Sequence, residues 1–113
     1  MIENFRDLIS TIKDLLLNII SRIDDISNKY VSDNTLEDDR ILNLLDDINA
    51  LSEGIAVIGQ YFESLDLSEL REKLSIMVES FERKDYSLLI DSIQYELKPL
   101  LAYWNDIIAN DKD

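Results

Sequence analysis

The chain has 113 residues, with 24 acids against 11 bases, a formal charge of −13, and neither cysteine nor histidine. Disulfides, thiol chemistry, imidazole metal sites and Ser-His or Cys-His catalysis are therefore excluded. The acidity disfavours phosphate backbones and anionic lipid, so neither nucleic acid nor a membrane is expected as a partner.

The acids are spread along the chain and not massed, as on a solvated bundle surface and unlike a nucleic-acid mimic. At this length one domain, residues 1–113, is expected, with a core that needs no staples. Two glycines and one proline are too few for the turns of a sandwich or barrel. A few long helices with short connections fit best.

The first segment carries Ile2, Phe5, Ile9, Ile12, Leu16, Ile19, Ile23, Ile26 and Tyr30 at alternating gaps of three and four. This is a heptad seam and predicts a helix from about Ile2 to Asn28. Leu8, Leu15 and Ile20 widen it to a stripe suited to a bundle core. The same stretch does not read as a signal peptide, because its first turn is acidic and Arg6, Asp7, Lys13 and Asp14 interrupt it. No apolar run approaches the roughly 18 residues of a membrane span, so a cytoplasmic protein is expected.

"VSDNTLEDD" breaks the pattern with turn formers, and Thr35 with Asp38 resembles a capping box. The second helix carries Ile41, Leu44, Ile48, Leu51, Ile55, Ile58, Phe62 and Leu65. Gly54 and Gly59 fall inside it, which predicts close approach by another helix or a local bend. Asp66 with Glu69 marks the next start. The third, shorter helix carries Leu67, Leu70, Leu74, Met77 and Phe81 and ends near Arg83 and Lys84. Asp85 caps the fourth, whose seam is Tyr86, Ile90, Ile93, Leu97, Leu100, Trp104 and Ile107. Tyr86 and Trp104 are expected as large core fillers with polar tips at the bundle ends.

Pro99 lies off that seam. There it removes the bond to the Tyr95 carbonyl and predicts a kink, since the heptad spacing passes through without a slip. A stop near Leu97 and a restart is the alternative. Away from the seams run two further apolar stripes: Ala50, Gly54, Val57 and Tyr61 on the second helix, and Leu88, Tyr95 and Ala102 beside Pro99 on the fourth. A helix with two apolar faces has two neighbours to satisfy.

The stretch Asp85–Trp104, "DYSLLIDSIQYELKPLLAYW", resembles the C-terminal signature D-Y-x-L-L-x-D…Y-E-L-x-P-L-L-x-x-W of small uncharacterised all-helical proteins from spore-forming Gram-positive bacteria. Asp85, Tyr86, Leu88, Leu89, Asp91, Tyr95, Glu96, Leu97, Pro99, Leu100, Leu101 and Trp104 match it. The "SEGI" around Gly54 is similar to their middle helix. Such proteins are often encoded near motility genes, so the resemblance implies an accessory or chaperone-like role.

No Gly-rich phosphate loop, Walker pattern or EF-hand order occurs. Glu69/Glu72 and Glu79/Glu82 have the spacing of the Mg²⁺-binding pairs of all-helical nucleotide pyrophosphatases, but both pairs fall on one short helix, which cannot close around a metal cluster. Glu96 reads as a rim carboxylate bonded to a tyrosine or a neighbouring helix.

The expectation is therefore an all-α, antiparallel, up-down-up-down four-helix bundle, kinked at Pro99, that binds protein, needs no cofactor and is not an enzyme. Its candidate surface is Gly54, Val57, Tyr61, Leu88, Tyr95 and Pro99. The partner is a helical segment of another protein, or a second copy in a homodimer. A Mg²⁺-dependent nucleotide pyrophosphatase is the remaining alternative.

Overall fold

The computed structural model describes residues 2–110, and among them the fold is all-α, four helices with no strand. Helix α1 spans Ile2–Asp33, α2 Asp38–Ile58 and α3 Leu67–Glu82. The fourth helix has three parts: α4 (Tyr86–Ser92), a π-helical turn (Ile93–Leu97) and α5 (Lys98–Ala109).

Helix α1 is 32 residues long, so it spans nearly the whole 46 Å long axis of the molecule. It runs past Asn28 because Tyr30 packs against the core and its hydroxyl lies 3.3 Å from Ser87 Oγ. It stops where Asn34 takes the left-handed conformation, at φ 54. Asparagine tolerates that region better than most residues.

The expected capping box at Thr35 does not form. The N-cap of α2 is Glu37, with no side-chain cap bond, and Thr35 Oγ1 instead donates to the Asp33 carbonyl. Asp38 and Asp39 in the first turn still complement the helix dipole. At its other end α2 stops at Ile58, short of the expected Leu65. Gly59 is the C-cap and not an interior residue. A Cβ there would lie 2.9 Å from the Ile55 carbonyl oxygen, so only glycine fits without a shift. Phe62 and Leu65 are nonetheless buried, in turns that close the end of the core. Burial continues where the helix does not, which is why the heptad spacing carried on.

The other caps follow the sequence. The Asp66 carboxylate accepts from the Ser68 backbone N–H at 3.0 Å and from its hydroxyl at 2.6 Å. At the end of α3, Lys84 takes φ 59, its N–H donates to Phe81 O, and the Asp85 N–H donates to Ser80 O. This is a Schellman motif with lysine at the position glycine usually holds. Asp85 also begins α4, its carboxylate accepting from the Leu88 N–H.

In the π turn the Lys98 N–H reaches back five residues to Ile93 O. The chain stays helical through Leu97 and Lys98, so there is no stop and restart. The irregularity sits ahead of Pro99, which falls in the first turn of α5. A missing N–H costs least there. The extra residue in the wide turn also rotates the buried face, so that Leu101 and Ile108 join Trp104 in the core while Ile107 is only half-buried.

The core is one cluster fed by every helix, with Leu16, Ile19, Ile23, Leu44, Ile48, Leu51, Leu70, Ile93 and Trp104 fully enclosed. Trp104 is not at a bundle end with a polar tip in water. Its indole is buried and Nε1 has no acceptor among the described residues.

Contacts set the register. Along α1, Ile12 meets Gly54, Arg22 pairs with Asp47, and Lys29 pairs with Glu37 at 3.1 Å. Partners descend as α1 ascends, the order of helices running in opposite directions. The fourth helix descends likewise, with Asp24 on Lys98 at 2.6 Å and Tyr30 near Ser87. Helix α3 rests mainly on the fourth helix and only lightly on α2.

Candidate protein-binding surface

The six residues expected to form one surface do not meet. Gly54 faces inward: a Cβ there would sit 2.9 Å from Ile12 Cδ1, so the glycine serves the close approach of α2 to α1. Val57 is 49% exposed and Tyr61 68%, near the start of α1, where Tyr61 stacks edge-on against Phe5 with ring centroids 4.6 Å apart. Leu88 is 47% exposed and Tyr95 71%, with Pro99 exposed beyond them. These belong near the other end of α1, because neighbouring Ser87 touches Tyr30. At 1.5 Å per residue along α1 the two groups stand roughly 30 Å apart. Helical periodicity places a residue on a face but says nothing of its height, and α2 ends where α4 is far from beginning.

The second group faces a groove. Between α3 and the fourth helix lies a hollow of about 440 Å³, lined by Lys73 and Ile76 from one side and Leu88, Asp91, Ser92, Tyr95 and Glu96 from the other. Ile76, 38% exposed, supplies apolar surface opposite Leu88 and Tyr95. It was not among the residues expected from the sequence. Its only signal was an isoleucine one step off the Leu74–Met77 seam.

Two local devices build this groove. The Schellman turn at Lys84 and the Asp85 cap turn the chain back so that α3 lies on α4. The π turn carries Tyr95 and Glu96. Glu96 is a rim carboxylate bonded to a neighbouring helix, as expected: its partner is Lys73 Nζ of α3, at 2.8 Å across the groove. That hydrogen bond holds the Lys73 ammonium above the ordinary lysine range, with Glu72 and Glu69 adding to the attraction.

A second hollow of about 400 Å³ is lined by α3 alone, including Leu74 and Val78, and so is the flank of one helix and not a cleft. Glu69, Glu72, Glu79 and Glu82 all lie on α3, and no three acids among the described residues converge on a point where a metal ion could sit. No described helix is long and apolar enough to cross a membrane.

Comparison with curated proteins gives no match, and neither does comparison with solved structures. Residues 7–107 match a family described as a domain of unknown function (DUF8042). That stretch contains both walls of the groove, and it covers most of the molecule: the chain belongs to the DUF8042 family.

Proposed function

We propose that the protein is a non-enzymatic protein-binding bundle, an adaptor or chaperone-like accessory, acting in the cytoplasm without a cofactor. The observation that carries this is the groove between α3 and the fourth helix, where Ile76, Leu88 and Tyr95 leave apolar surface open side by side. Single exposed apolar residues are ordinary, whereas a contiguous set facing one hollow marks an interaction site. The groove has helical walls, which suits a helical segment of a partner. The resemblance to proteins encoded near motility genes points to motility or secretion as the setting.

The patch of Val57 and Tyr61 beside Phe5 supports a second use of apolar surface, contact with another copy. Affinity capture from a lysate of the source organism separates the two. Wild type is compared with Leu88→Ser/Tyr95→Ser and with Val57→Ser/Tyr61→Ser, and the mass of each purified protein is recorded. One specific protein lost only with the groove pair supports the docking site. A wild-type dimer broken only by the end pair assigns Val57 and Tyr61 to a self-contact. Capture by wild type and both variants alike contradicts both assignments.

A further inference from the structure

We propose that the groove between α3 and the fourth helix takes a basic amphipathic helix, apolar on one stripe and flanked by Lys or Arg. This rests on the docking function proposed above and specifies the occupant.

The floor and the rim differ in chemistry. Ile76, Leu88 and Tyr95 supply the apolar floor. Asp91 and Glu96 line the groove with Lys73, and Glu69 and Glu72 stand one helical turn before Lys73 and Ile76 on the same side of α3, so that four carboxylates stand against one ammonium. Of these acids only Glu96 is in an ion pair among the described residues, with Lys73. Glu69, Glu72 and Asp91 are left to an incoming charge.

Spacing favours a helix. Leu88 and Tyr95 are seven residues apart, two helical turns or about 10 Å, which is the reach of anchors at i, i+3 or i+4, and i+7 on a partner helix. No strand edge exists among the described residues for an extended peptide to join. Sign follows from the rim. An acidic segment would meet the like charge of the rim carboxylates, whereas a basic one meets complementary potential. The formal charge of −13 steers the same choice from a distance and opposes an anionic lipid surface as the occupant.

The test uses a synthetic amphipathic helical peptide with Leu at i, i+3 and i+7 and Lys on both flanks, and its Lys→Glu counterpart. Each is titrated into isotopically labelled full-length protein and followed by backbone amide shifts. The Lys peptide is expected to move amides of residues 69–96, with affinity falling about tenfold in Leu88→Ser/Tyr95→Ser. Asp91→Asn/Glu72→Gln should weaken it about threefold and flatten its salt dependence. Circular dichroism confirms that each variant is folded. Shifts scattered over the whole acidic surface and indifferent to the Leu88/Tyr95 pair would mean plain charge attraction and overturn the proposal. Equal binding of the Glu peptide in the groove would overturn the sign of the occupant and leave the docking function standing. No binding of either peptide would overturn the proposal as well, while lysate capture decides the docking function separately.

Discussion

Replacing Lys84 by glycine is expected to stabilise the protein. Lys84 sits at φ 59, the left-handed residue of the Schellman motif that ends α3. A side chain in that region costs about 1–2 kcal/mol through crowding of Cβ against the following carbonyl. Glycine removes the cost but adds about 0.5–1 kcal/mol of unfolded-state freedom. The net gain is about 0.5–1 kcal/mol. With an unfolding entropy of about 2.1 cal/mol/K per residue, that is a rise of about 2–4 °C in Tm for a domain of this size. The assay is urea unfolding followed by circular dichroism, with thermal melts in parallel. Lys84→Ala is the control: it removes the same charge but keeps Cβ, and should gain nothing. The turn also sets the two walls of the groove, so Lys84→Gly should leave groove binding intact. A gain in the alanine variant equal to that of glycine would refute a conformational cost at Lys84, since charge and not backbone conformation would then be responsible. A loss of stability in Lys84→Gly would refute it too.

Three further outcomes are expected. The Asp66 carboxyl is held below its ordinary pKa of 3.8 by its bonds to the Ser68 hydroxyl and backbone N–H. Its contribution is complete above the unfolded pKa and lost as pH falls through the folded one. The stability difference between wild type and Asp66→Ala should therefore be constant near neutrality and shrink in acid. A difference unchanged down to strong acid would remove the carboxylate from the cap. Gly59→Ala should destabilise by about 1 kcal/mol or more in urea unfolding, because the new methyl meets the Ile55 carbonyl oxygen and not a flexible side chain. An unchanged midpoint would mean that the turn relaxes freely. Added salt should raise Tm from its low-salt value, because it screens self-repulsion at −13 more than it weakens a few partly exposed ion pairs. A Tm that falls steadily with salt would contradict this.

Much of the fold was legible in the spacing of apolar residues. Ile12, Leu16, Ile19, Ile23 and Ile26 were expected on one face of α1 and all are buried. The Asp66 and Asp85 caps were legible because an acid precedes each apolar run and its carboxylate reaches the first turn. Three features were not. The π turn left no trace, because apolar residues stand at both 100 and 101 and at both 107 and 108, so a buried face shifted by one residue still finds an unbroken seam. Phe62 and Leu65 kept the heptad spacing although the chain there is turns, since periodicity reports burial and only indirectly the backbone. The candidate surface failed on height. Val57 and Leu88 each lie on an exposed face as expected, but opposite ends of α1 separate them. The groove itself needed Ile76, a residue whose meaning appears only when α3 lies beside Tyr95.

The proposed function requires that the apolar surface at Leu88 and Tyr95 exist for binding and not for folding. The direct measurement is the unfolding free energy of Leu88→Ser/Tyr95→Ser beside its capture of partner protein from lysate. If the surface is a docking site, each exposed position should cost no more than about 0.5 kcal/mol, while the specific captured protein disappears. If the pair loses several kcal/mol, Leu88 and Tyr95 are part of the protein's own packing; if capture persists in the folded variant, the docking site lies elsewhere.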